Sequence, residues 1–158
     1  MFGIKCKTQV DTGKVKRAYD RGTIWSLGRA GAYIYGIARK SIKIVPEVRS
    51  RTKRQAKALQ GESVYAAPGD PPHSRRGKLK QAIFFAVEGK TNVAIGTSAS
   101  RLGQVGRIHE HGGRYRVRKA ASKRGPAIGN FPKRPFMAPA LEVARVRLPS
   151  FWAGSVKE

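Results

Sequence analysis

Between Lys14 and Ile44 the apolar residues Val15, Tyr19, Leu27, Ala30, Ile34, Ile37 and Ile44 recur at spacings that bring them to one side of a helix. Arg17, Arg21, Arg29, Arg39, Lys40 and Lys43 fall on the other side. The pattern predicts a long amphipathic helix with a basic outer face. Gly22, Gly28, Gly31 and Gly36 each cost about 1 kcal/mol relative to alanine inside such a helix. They therefore predict either an interruption or a close approach by a sheet or a neighbouring subunit. Pro46 ends the pattern.

The next stretch has no core periodicity. Arg49, Arg51, Lys53 and Arg54 come first, Pro68, Pro71 and Pro72 follow, and Arg75 and Arg76 close it, so residues 46–76 are expected to form an arm with a pre-set extended backbone. Leu79, Ile83, Phe84, Phe85 and Val87 then lead into Glu88-Gly89-Lys90, and Val93 and Ile95 alternate beyond it, as in a β-hairpin with a glycine turn. Residues 101–111 fit a short helix broken by Gly112-Gly113. Tyr115 and Val117 alternate with Arg114, Arg116 and Arg118, as in a strand with one charged face. This strand opens a second basic arm over 114–134 that carries Lys123, Arg124 and Arg134. Pro135 and Pro139 bracket the start of a last helix, whose Leu141, Ala144 and Leu148 make an inward stripe before Pro149. The elements predict a single α+β domain over 1–158: a small antiparallel β-sheet packed against a long N-terminal helix and a C-terminal helix, with extended basic arms.

Composition sharpens this picture. The chain of 158 residues holds 33 Lys and Arg against 9 Asp and Glu, a formal charge of +24. So large an excess repels itself in a compact monomer and implies a polyanion or acidic neighbours. Cys6 is the only cysteine, which excludes an intramolecular disulfide and a sulfur-based zinc site and suits a reducing cytoplasm. No apolar run approaches the roughly 18 residues of a membrane span, and the first residues do not form a signal-peptide h-region, so no membrane partner is expected.

His109-Glu110-His111 is the one cluster that invites a metal or nuclease reading. On a helix, residues two apart point about 200° from each other, whereas ligand pairs need a spacing of three or four. The nine acids are scattered singly, and neither a phosphate-cradling glycine loop nor a carboxylate cluster for a divalent ion is visible. No enzyme activity, metal or cofactor is expected. The basic runs admit a solvated surface, a nucleic-acid groove or docking arms. Between Glu110 and Glu142 there is no acid at all. Tyr115, Phe131 and Phe136 interleave too sparsely for a stacking platform, which favours sequence-independent phosphate contact. Phe136 fits a core filler and an interface anchor equally well.

Three segments fall in order along the chain: PGDPPHSRRGKL from Pro68 to Leu79, GRIHEHGG from Gly106 to Gly113, and FPKRPFMAPALE from Phe131 to Glu142. Together they resemble the neck and tail-completion proteins of tailed bacteriophages, the minor tail protein Z-like group. Arg76 stands where that group usually has Thr, and Met137 where it often has Leu. The resemblance implies a structural virion protein of the neck that completes the tail and helps join it to the head. It further implies a homo-oligomeric ring, six-fold to match a tail, around the DNA channel. Expected partners are head-closure, tail-terminator or tail-tube proteins and, non-specifically, genomic DNA; the expected location is the virion, after assembly in the host cytoplasm. In this reading Glu110 is a structural or interface carboxylate paired with Arg107 or with a neighbouring subunit. The basic residues of the two arms and Phe136 face other subunits or DNA. The charge alone also supports an alternative, a basic nucleic-acid-binding protein of ribosomal or nucleoid type.

Overall fold

Asp11 starts the first helix: its carboxylate accepts the main-chain N–H of Lys14 at 3.0 Å, satisfying one of the donors that a helix N-terminus leaves unpaired. In this computed structural model, residues 11–45, 66–74, 76–100, 102–117 and 127–155 are described. The helix, α1, runs unbroken over Thr12–Ser41. It is followed by a single turn, α2 (Lys78–Gln81), a hairpin of β1 (Ile83–Glu88) and β2 (Asn92–Thr97), and α3 (Gly103–His111). A second pair of strands, β3 (Gly113–Val117) and β4 (Ala127–Phe131), leads to α4 (Met137–Arg145) and a 3-10 turn over Leu148–Phe151. The chain is an α+β protein with a long N-terminal helix, small antiparallel sheets and a C-terminal helix.

The apolar stripe of α1 is used only in part. Leu27, Ala30, Ile34 and Ala38 are buried, whereas Val15 and Tyr19 lie exposed on the first turns, and Ile44 lies exposed beyond the helix end. Thirty residues make a helix of about 45 Å, and its first turns leave Val15 and Tyr19 exposed. The buried part meets the β1–β2 hairpin at Gly31. A Cβ there would stand 2.7 Å from Val93 Cγ2 and 2.8 Å from Phe85 Cδ2. Of the two outcomes open to the helix glycines, close approach is the one realised at this position, and the helix is not interrupted.

The core gathers Ile34, Ala38 and Ile42 from α1 and its end, Leu79 and Ile83 around α2, and Phe136, Ala140 and Ala144 from the C-terminal segment. Phe136 is 1% exposed. Burying a side chain of that size contributes up to about 3 kcal/mol, and its place is the core, not a surface facing DNA or another subunit. The inward stripe of α4 is Ala140 and Ala144, with Leu148 half-buried. Leu141, expected inside, is exposed. The small residues let α4 lie close against α1, while Leu141, one position on, lines an open groove with Leu27 and Ile34 of α1. Buried Ser26 closes the far end by donating to the Phe151 carbonyl at 2.8 Å.

Two expected arms change character. Residues 66–74 run along the domain as a strap: Ser74 N–H donates to Lys43 O at 2.9 Å, Val45 N–H donates to Ser74 O at 3.2 Å, and Pro72 is fully buried. Residues 46–65 lie outside the described residues. In the second segment β3 and β4 pair antiparallel as a ribbon in the register Arg114↔Asn130, Tyr115↔Gly129 and Arg116↔Ile128, and residues 118–126 lie outside the described residues. Its sheet is separate from that of β1 and β2.

Candidate functional site

The three segments singled out in the sequence meet at one hydrogen-bonded node. Helix α3 packs against β2 where buried Gly106 faces Thr97, and this holds Glu110 in the last turn of α3, opposite the start of α4. One carboxylate oxygen of Glu110 accepts the main-chain N–H groups of Phe136 and Met137 at 3.0 and 3.1 Å. The other accepts that of Ala138 at 2.8 Å. A helix leaves four N–H groups unpaired at its start. In α4 three of them go to Glu110, and the fourth position is Pro139, which has no N–H to satisfy. The negative charge also sits where the helix dipole favours it. Glu110 is therefore an intramolecular cap that commits both carboxylate oxygens to α4.

Arg134 ties the remaining strands of the node. Its main-chain N–H donates to the carbonyl of His109 at 2.7 Å, and its Nε–H donates to the carbonyl of Ala66 at 2.8 Å. Gly69 N–H reaches the carbonyl of Lys133 at 2.8 Å. Gly112, between α3 and β3, turns the chain at φ +64, and a Cβ there would come within 2.9 Å of Phe131 O and of Lys133. Only glycine meets both demands. The strap, the His-Glu-His helix and the approach to α4 are thus interlocked through main-chain groups.

His109 lies half-buried beside this node. Burial, and secondarily the Arg134 guanidinium, hold its imidazole below the ordinary histidine range. Its neighbour His111 is exposed. No group of three or more His, Cys, Asp or Glu side chains that could hold a metal ion occurs among the described residues.

The expected surface residues divide clearly. Arg114 and Arg116 are exposed on one face of the ribbon, which they share with their cross-strand partners Asn130 and Ile128. The opposite face carries half-buried Tyr115 and Phe131, whose rings meet edge to face at 6.4 Å. Arg76 is exposed at the end of the strap, but Arg134 is half-buried and committed to the node. Arg49, Arg51, Lys53, Arg54, Arg75, Arg118, Lys123 and Arg124 lie outside the described residues. The sequence did not point to two exposed apolar positions, Val143 on α4 and Val146 just beyond its end, at 64% and 91% exposure. Their mixture with Glu142 and Arg145 concealed them.

Comparison with protein-family models, curated proteins and solved structures finds no match to this chain. No described helix is long and apolar enough to cross a membrane.

Proposed function

We propose that this chain is a non-enzymatic structural protein of the phage neck, which completes the tail and helps join it to the head as a ring around the DNA channel. The observation that carries the reading is the Glu110 node. The three ordered segments that resemble the neck group are distant in sequence, yet they interlock as one architectural unit in which the carboxylate is spent on holding a helix. Residues kept for architecture suit a part whose task is geometric.

In this mechanism the node sets the direction in which the β3–β4 ribbon leaves the domain. The ribbon presents Arg114 and Arg116 to DNA phosphates or to acidic neighbouring rings. Val15 and Tyr19, four residues apart on α1, and Val143 on α4 with Val146 just beyond its end are exposed apolar positions at two places on the chain. A head-to-tail interface that closes by rotation uses two different patches on each copy.

The test is deletion of this chain from the particle that carries it, with electron microscopy of the lysate. Filled heads separate from finished tails are the expected outcome. Normally joined, infectious particles without the chain would overturn the reading, and a purified monomer that saturates on DNA without forming rings would favour a cellular nucleic-acid-binding role.

A further inference from the structure

A cavity of about 420 Å³ opens between the strap, α2 and α3. Arg76 and Lys78 bring two positive charges to its wall, both on exposed side chains. His73 and His109 bring two imidazoles. Nδ1 of His73 is buried and has no hydrogen-bond partner among the described residues.

We propose that this cavity is a binding site for a phosphate group. Among the described residues the polar side chains of the wall are Arg76, Lys78, His73, His109 and the hydroxyl of Ser74, and none is a carboxylate. The acid nearest in sequence, Glu110, is occupied by α4. A phosphate oxyanion accepts from guanidinium, ammonium and imidazole N–H together, and such charge-assisted bonds are the strong ones. Leu79, Leu102 and Val105 form the apolar part of the wall and lower the local dielectric, which strengthens those bonds. A divalent cation meets the opposite field and only two ligating side chains.

The volume falls in the range of small-molecule sites, about 300–1,000 Å³. The cavity has room for a phosphate carried on a larger group, as in a nucleotide or a nucleic-acid backbone. The site stands apart from the neck reading, because it needs neither a ring nor a neighbouring subunit.

The experiment follows the imidazole resonances of the full chain by NMR, at constant pH and ionic strength, during titration with inorganic phosphate, a nucleoside monophosphate or a short single-stranded oligonucleotide. Saturable shifts of His73 and His109, with exposed His111 unmoved, are expected for at least one phosphate-bearing probe. A response to the oligonucleotide alone assigns the site to a nucleic-acid backbone, and a response to the monophosphate assigns it to free phosphorylated ligands. Arg76→Gln and Lys78→Gln, both at exposed positions that leave the core untouched, are each expected to weaken binding about tenfold. Arg114→Gln on the ribbon is expected to leave the monophosphate response unchanged. The proposal fails if no probe moves the two imidazoles, if both cavity variants bind as tightly as the wild type, or if zinc alone produces the saturable shifts.

Discussion

Glu110 and Phe136 are 26 residues apart, and the carboxylate of the first accepts the main-chain N–H of the second at 3.0 Å. The same contact fixes two things at once. It starts α4, and it seats the Phe136 ring in the core directly behind that start. A cap supplied from a distant helix makes the order of α4 depend on α3 being in place, so the two helices are expected to unfold together.

Glu110→Ala removes the acceptor for three N–H groups and is expected to cost about 1–3 kcal/mol. Glu110→Gln keeps one acceptor oxygen and should cost less. Urea unfolding of the three proteins checks the ranking; equal stabilities of wild type and Glu110→Ala would remove the cap from the account.

The helix glycines provide a paired comparison. Gly31→Ala forces Val93 and Phe85 to give way and should lose about 1–2 kcal/mol. Around Gly28 a Cβ meets nothing within 4 Å, so Gly28→Ala should gain up to about 1 kcal/mol from helix propensity. Thermal melts showing the two variants shifted the same way would count against the packing at Gly31.

His109 gives stability a pH dependence. Its folded imidazole is held below the ordinary range by burial and by Arg134, so near and below pH of about 6.5 the unfolded chain binds more protons than the folded one. This contribution to stability is fully present above that value and is lost as pH falls through the lower, folded value. Urea midpoints measured across this window should fall on acidification, and His109→Gln should flatten the fall. An unchanged slope in the variant would show that His109 does not set it.

Arg114→Ala with Arg116→Ala is expected to leave the melting temperature near that of the wild type, since both side chains are exposed. If both meet phosphates, the slope of log affinity for DNA against log salt should decrease by about 2, and joining of heads to tails should be impaired. Variant particles that join normally, with an unaltered salt slope, would make the ribbon face plain solvated surface.

Within the stretch 46–76 expected to form an arm, the Pro72 ring is fully buried. Pro72→Gly should therefore destabilise the isolated domain, by loss of packed volume as well as by added freedom in the unfolded chain. Urea unfolding checks it against Pro71→Gly, at a half-buried position, which should cost less.

The sequence by itself determined the elements whose signal is local: the amphipathic α1, the hairpin around Gly89, the short helix ending at Gly112 and the alternation of Arg114 and Arg116 on a strand. Each is a repeat of 3.6 or 2 residues or a turn residue, legible within a window of a few turns. Tertiary structure alone decided which part of a legible stripe was used. Val15 and Leu27 read alike, yet only Leu27 is buried. It also decided the roles of Glu110 and Phe136, and it placed His73 and His109 in one cavity. Those outcomes depend on which donors, charges and apolar faces arrive at the same place after the chain has folded. A carboxylate followed by a glycine pair does not state that its partners are three N–H groups some 26 residues later.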